Sequence, residues 1–277
     1  MRFIVIFLAW ASMVTIAAAV SPPAPEPIDV PGSGGIIRAM LYRPEGKGPF
    51  PAVVALHGCS GLTHKTDGVA GRYSDWAQVL VNAGFVVLYP DSYGSRGLGA
   101  QCTVRNRRIR TERERVEDAN AARHWLQAQS YVQADRISLL GWSNGGISVL
   151  WAVRRHGAAQ GEKADFRSAV AFYPGCGRLD NTAWSARIPT LILIGSLDDW
   201  ASARGCEQMV AGARGRSART SIMVYPGAYH DFDHPSRPVQ VRTGNAFSID
   251  GSGRVHTGTN PTARADALKR VPQWLAR

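Results

Sequence analysis

Six short apolar runs, at residues 52–56, 85–89, 137–140, 169–173, 190–194 and 222–225, alternate with segments of helical spacing at 73–82, 114–129, 145–155 and 201–213. Each run is apolar almost throughout, as strands covered on both faces are, and each is too short for a helix. Strand alternating with helix requires crossovers, and right-handed crossovers lay successive strands parallel in one sheet with helices on both faces. Ahead of them, apolar stretches at 28–30 and 36–42 flank Gly32-Ser33-Gly34-Gly35, the pattern of a hairpin, so the sheet is expected to begin antiparallel. A closing helix is expected over 262–275, and the glycine-rich stretch 244–258 reads as a loop. A 45% hydrophobic share against 19% charged excludes a disordered chain, and residues 28–277 fit one α/β domain.

At the N-terminus, Met1-Arg2 precedes an apolar run over 3–16 and then Ala17-Ala18-Ala19, the order of a secretory signal peptide. A membrane anchor is the alternative, but a span usually takes roughly 18–20 apolar residues, and this run stops sooner. Cleavage is expected near Ala19. Residues 20–27 are proline-rich, and because proline removes a backbone donor they are expected to form an exposed leader. The mature protein is then periplasmic or secreted, with no transmembrane span. Outside the reducing cytoplasm Cys59, Cys102, Cys176 and Cys206 are candidates for disulfides, and no C-x-x-C unit suggests zinc. Four cysteines allow three pairings, of which Cys59 with Cys102 and Cys176 with Cys206 is favoured.

The formal charge is +11, and loss of residues 1–19 removes only Arg2, leaving +10. Much of the excess sits in Arg105, Arg107, Arg108, Arg110, Arg113 and Arg115, but Glu112, Glu114, Glu117 and Asp118 interrupt it, as on a solvated helix face. No specific nucleic-acid partner is expected. A basic surface can still concentrate anionic substrates or hold the protein to an anionic envelope.

Gly141-Trp142-Ser143-Asn144-Gly145 is a G-x-S-x-G placed between an expected strand and an expected helix. That context makes it a nucleophile elbow, in which a strained turn lifts the serine and small neighbours let strand and helix approach. A serine hydroxyl needs a base, and the base needs a carboxylate to fix its tautomer. In this fold the chain order is nucleophile, acid, histidine, the last two in loops after later strands. Asp198 follows the run ending at Ile194, and His230 follows the one ending at Tyr225. The rivals are Asp199 and, more remotely, Asp180 for the acid, and His234 for the base. His124, His156 and His256 fall in helices or the glycine-rich tail. Two backbone amides should hold the oxyanion: that of Asn144, and one from His57-Gly58-Cys59-Ser60-Gly61, assigned to Cys59. His57 reads as a loop-stabilising hydrogen bonder. Tyr93, Trp142 and Trp200 are candidates for the substrate pocket, with plain packing as the alternative.

Taken together these residues resemble the dienelactone hydrolase family of α/β-hydrolases, especially its exported members, over roughly residues 30–277. The carriers are His57-Gly58-Cys59, Asp91-Ser92-Tyr93-Gly94, Gly141-Trp142-Ser143-Asn144-Gly145-Gly146, Tyr173-Pro174-Gly175, Gly195-Ser196-Leu197-Asp198-Asp199-Trp200 and His230-Asp231-Phe232. The resemblance implies the α/β-hydrolase fold, a mostly parallel central sheet with helices on both faces, and acyl hydrolysis without a cofactor or metal. The departure is at position 143, where the dienelactone enzymes carry cysteine and this chain carries serine. The expected reaction is cleavage of a small carboxylic ester, with lactones as a further candidate. A peptidase or amidase of the same fold is the second reading, and a catalytically idle envelope protein binding anionic polymers is the third.

Overall fold

A computed structural model of the chain describes residues 24–64, 68–155, 164–180 and 183–277. The expected signal peptide and the start of the leader lie outside the described residues. Eight strands form one sheet: β1 (Glu26–Gly32), β2 (Gly35–Tyr42), β3 (Phe50–Leu56), β4 (Val86–Pro90), β5 (Val132–Trp142), β6 (Ala169–Phe172), β7 (Thr190–Gly195) and β8 (Thr220–Tyr225). Their order is β1-β2-β4-β3-β5-β6-β7-β8. The hairpin β1-β2 is antiparallel and β2 joins β4 antiparallel, while every pairing from β4 to β8 is parallel. The longer helices among the described residues are α1 (Gly71–Asn82), α2 (Glu114–Gln127), α3 (Asn144–Ala152), α4 (Ala203–Gly212) and α5 (Pro261–Leu275).

The apolar runs become the central strands for the reason read from their composition. Every residue of β4, β6 and β7 is buried, as in largely apolar strands covered on both faces, and the buried Thr190 hydroxyl donates to the Ile188 carbonyl at 3.0 Å. Helices cover them in two groups, α1 against α5 and α2 against α3. At the edge, β1 and β2 alternate between exposed and buried positions, as a strand with one dry face does. Two helix starts are capped by the residues their sequences offer: Ser202 Oγ accepts from the amide of Gly205 at 3.1 Å, and Asn260 Oδ1 from that of Ala263 at 3.0 Å.

Three expectations are corrected. β1 begins at Glu26, inside the stretch expected as leader, and Pro27 fits because an edge strand can forgo a ladder donor. Within the glycine-rich tail, Val255–Thr257 pairs antiparallel with Gln240–Arg242, a ladder too short for its alternation to be legible. The arginine-rich segment is not solvated throughout: Arg110 pairs with Glu114 outside, whereas Arg115 is fully buried and Asp118 nearly so.

Cys59 is bonded to Cys102 and Cys176 to Cys206, and no described cysteine is free. Together with the fact that no helix among the described residues is long and apolar enough to cross a membrane, this is compatible with export. The first bridge closes a loop with a sequence separation of 43, and the Cys59 carbonyl also accepts from the Gln101 amide at 2.7 Å. Cys59→Ser with Cys102→Ser is therefore expected to lower the free energy of unfolding by about 3–4 kcal/mol, the loop-closure entropy returned to the unfolded chain. Urea titration checks this, and an unchanged midpoint would refute it.

Candidate active site

β5 ends at Trp142 and α3 begins at Asn144, so the single residue Ser143 must turn strand into helix. It does so at φ 52° and ψ −113°, a conformation L residues rarely adopt. The flanking glycines make the turn possible. A Cβ on Gly145 would lie 2.1 Å from the Leu56 carbonyl oxygen, and one on Gly141 2.5 Å from that of Gly145. The Ser143 amide donates to the Phe172 carbonyl at 2.9 Å, which ties the turn to β6.

Two further loops leave the carboxyl ends of parallel strands at the same edge of the sheet, where open α/β sheets bind ligands. The loop after β7 carries Asp198 and the loop after β8 carries His230. His230 Nε2 lies 3.0 Å from Ser143 Oγ, and His230 Nδ1 lies 2.7 Å from Asp198 Oδ2. Asp198 Oδ1 accepts from the amides of Trp200 and Ala201 at 2.9 and 2.8 Å, so the buried carboxylate is held on both oxygens. The imidazole is wedged between Tyr173 and Trp200, with ring centroids 4.4 and 4.8 Å away. In this geometry the serine hydroxyl can pass its proton to an imidazole whose other nitrogen is already committed to a carboxylate.

The rivals lie elsewhere. Asp199 Oδ2 meets His256 Nδ1 at 2.7 Å in a half-exposed pair. His234 Nδ1 accepts from the Ser236 amide, and burial followed by the charges of Arg237 and Arg72 lowers its pKa to about 4. His57 is fully buried, with Nδ1 donating to the Gly58 carbonyl at 2.8 Å. Burial and then Arg115 push its pKa well below the ordinary value.

A cavity of about 520 Å³ opens over Ser143 and His230, lined also by Cys59, Asn144, Trp200 and Phe247. Arg105, Arg107 and Arg110 form part of its wall. A smaller cleft of about 60 Å³ flanks the serine on the side of Arg72, Arg237 and Arg242. Trp200 lines both. Trp142 and Tyr93 line neither, which corrects their expected place in the pocket. Trp142 is fully buried, donating from Nε1 to Asp233 and stacked on Phe172, because the elbow turns its side chain under the sheet edge. Tyr93 is buried behind Asn144, with its hydroxyl donating to Asn144 Oδ1 at 2.7 Å.

Sequence reasoning missed the support beneath His230. Asp233, fully buried, accepts from Trp76 Nε1 and Trp142 Nε1 at 2.8 Å each and from the Tyr173 hydroxyl at 2.6 Å. It thereby ties the elbow, α1 and the ring packed on His230 to one carboxylate. Its partners come from three distant segments, and no local motif signals them. Asp231 pairs with Arg72 at 2.6 Å and with Arg237. Burial alone would raise its carboxyl, but Arg72, His230 and Arg237 overcome this and hold it below the usual carboxylate range.

A carboxylate whose folded pKa is depressed adds stability that is complete above its unfolded value and is lost as pH falls through the folded one. Asp231→Asn is therefore expected to destabilise the protein at neutral pH and to flatten the loss of stability below about pH 4, near the unfolded carboxyl value. Melting temperatures measured from pH 2 to 7 check it; an acid limb as steep as in the wild type would contradict it.

A mostly parallel sheet in this strand order, with a serine elbow and acid and histidine loops at its carboxyl edge, defines an α/β-hydrolase. The profile of the dienelactone hydrolase family matches residues 37–277, and the chain belongs to that family. A Bradyrhizobium protein named "Probable 2-oxo-3-(5-oxofuran-2-ylidene)propanoate lactonase" is 26% identical over 219 residues, covering 74% of this chain and 82% of that protein. The dienelactone hydrolase of Anabaena variabilis shares the fold at TM-score 0.62 and 16% identity, covering 92% of this chain and 98% of that one. The acylaminoacyl peptidase of Pyrococcus horikoshii does so at TM-score 0.64 and 16% identity, covering 93% of this chain but 42% of its own.

Proposed function

We propose that the protein is an exported serine hydrolase that cleaves carboxylic esters through an acyl-enzyme. The observation that carries this reading is the relay from Ser143 Oγ to His230 Nε2 at 3.0 Å and from His230 Nδ1 to Asp198 at 2.7 Å, at the floor of a cavity large enough for a small ester. Ser143 attacks the carbonyl while His230 takes its proton, and Asp198 holds His230 in the tautomer that can do so and stabilises the imidazolium. The amides of Cys59 and Asn144 receive the negative charge that builds on the carbonyl oxygen. His230 then returns the proton to the leaving alkoxide, and water repeats the sequence to release the acid. Ester and lactone carbonyls follow the same steps, and the name of the Bradyrhizobium relative supports keeping lactones within the substrate class. Export of the domain after cleavage near Ala19 belongs to the same proposal, supported by the alanines at 17–19 and by two disulfides.

The test is labelling with a fluorophosphonate followed by peptide mapping, and then turnover of a panel of aryl esters, lactones and peptide amides. The expected result is one adduct, on Ser143, with esters or lactones turned over faster than amides. Folded protein that takes no label would leave a binding protein in place of an enzyme, and amides turned over faster than esters would make it a peptidase.

A further inference from the structure

The first turn of α2 carries a cation that its neighbours in sequence disguise. Arg115 stands in an alternating run of arginine and glutamate, yet its side chain is fully buried. Nη1 donates to Asn144 Oδ1 at 2.6 Å and Nη2 donates to the His57 carbonyl at 2.7 Å. The guanidinium carbon lies 5.2 Å from the centre of the Tyr93 ring, and the Tyr93 hydroxyl donates to the same Asn144 oxygen. Among the described residues, no carboxylate lies within 4.0 Å of the guanidinium nitrogens. Burying a charge without a counter-charge is costly, so the fold retains here a group that does not stabilise it cheaply.

Its two acceptors belong to the two segments that carry the oxyanion amides. Asn144 follows the nucleophile, and His57 stands two residues before Cys59. The segments touch with no side chain between them, since a Cβ on Gly145 would lie 2.7 Å from the His57 carbonyl oxygen. From the side of α2 the guanidinium grips both. A planar fork can hold two acceptors at a fixed separation, whereas an ammonium offers one point of attachment on a flexible stem.

We propose that Arg115 is a positioning residue that, from behind the cavity wall, fixes the amides of Cys59 and Asn144 relative to one another. The proposal rests on Ser143 being the nucleophile and on those two amides being the donors. Among the described residues, the guanidinium is held by neutral acceptors, Asn144 Oδ1 and the His57 carbonyl. The two amides meet full negative charge only at the transition state, so their alignment acts on kcat in preference to KM.

The experiment compares wild type with Arg115→Met and Arg115→Lys in hydrolysis of an aryl acetate and in inhibition by an aryl boronic acid, which forms an anionic tetrahedral adduct on an active serine. Fluorophosphonate labelling comes first. Wild type that fails to label at Ser143 removes the active-site reading itself, whereas a labelled wild type with unaffected variants removes only the role of Arg115. Arg115→Met is expected to lose about 10- to 100-fold in kcat with KM within about 3-fold, and to bind the boronate more weakly by the same factor as kcat/KM falls. Arg115→Lys, which keeps the charge and serves one acceptor, should lose about 10-fold with the same split. Should the methionine variant fail to fold, the lysine variant decides alone. Folded variant with kcat within about 2-fold of wild type, or a loss carried by KM with boronate affinity unchanged, would overturn the proposal.

Discussion

Ser143→Ala is expected to lower kcat/KM for an aryl ester by about 10⁵-fold or more, because the serine and its base act as one unit and neither substitutes for the other. The hydroxyl lies 3.0 Å from His230 Nε2 at the floor of the cavity, so its removal leaves the imidazole with nothing to deprotonate. What survives is the modest acceleration that the oxyanion amides and binding give to attack by water, roughly 10³-fold or so over the uncatalysed rate. The substitution should leave the fold intact. Alanine must still adopt the positive φ of the elbow, as serine already does, and the Ser143 amide still donates to Phe172. Kinetics on protein matched to wild type by circular dichroism decide the matter; a loss smaller than about 10-fold would mean that Ser143 is not the nucleophile.

The second large effect separates two adjacent aspartates. Asp198→Asn is expected to cost about 10³- to 10⁴-fold in kcat, since an amide can present N–H to His230 Nδ1 and so reverse the tautomer that Ser143 requires. Asp199→Asn should stay within a few-fold of wild type. Its carboxylate holds His256, in a pair whose side chains are 38% and 42% exposed, and it makes no contact with His230 that could alter the tautomer. Exposed pairs of this kind contribute little. The reverse ranking of the two variants, at equal protein stability, would move the role of acid to Asp199 and remove the account of His230 given above.

The elbow was legible because its requirement is local: a serine at a strained turn, with glycines where the chain presses on Leu56 and His57. That Asp198 and His230 come together with Ser143 was legible because chain order and strand ends locate loops, and loops at one sheet edge must lie near each other. Trp142 and Tyr93 misled because adjacency in sequence says nothing of direction; the turn that raises Ser143 sends Trp142 down to Asp233.

By itself the sequence determined the alternation of strand and helix, the parallel sheet with its antiparallel hairpin, and which loops carry serine, acid and histidine, since period, length and glycine placement are properties of contiguous residues. Only the tertiary structure decided that Arg115 lies buried against Asn144 and His57 while Arg110 stays at the surface, and that one carboxylate, Asp233, gathers Trp76, Trp142 and Tyr173. The physical reason is that the burial of a charge and the satisfaction of its hydrogen bonds depend on groups tens of residues away, which are brought together only when the sheet and its helices pack.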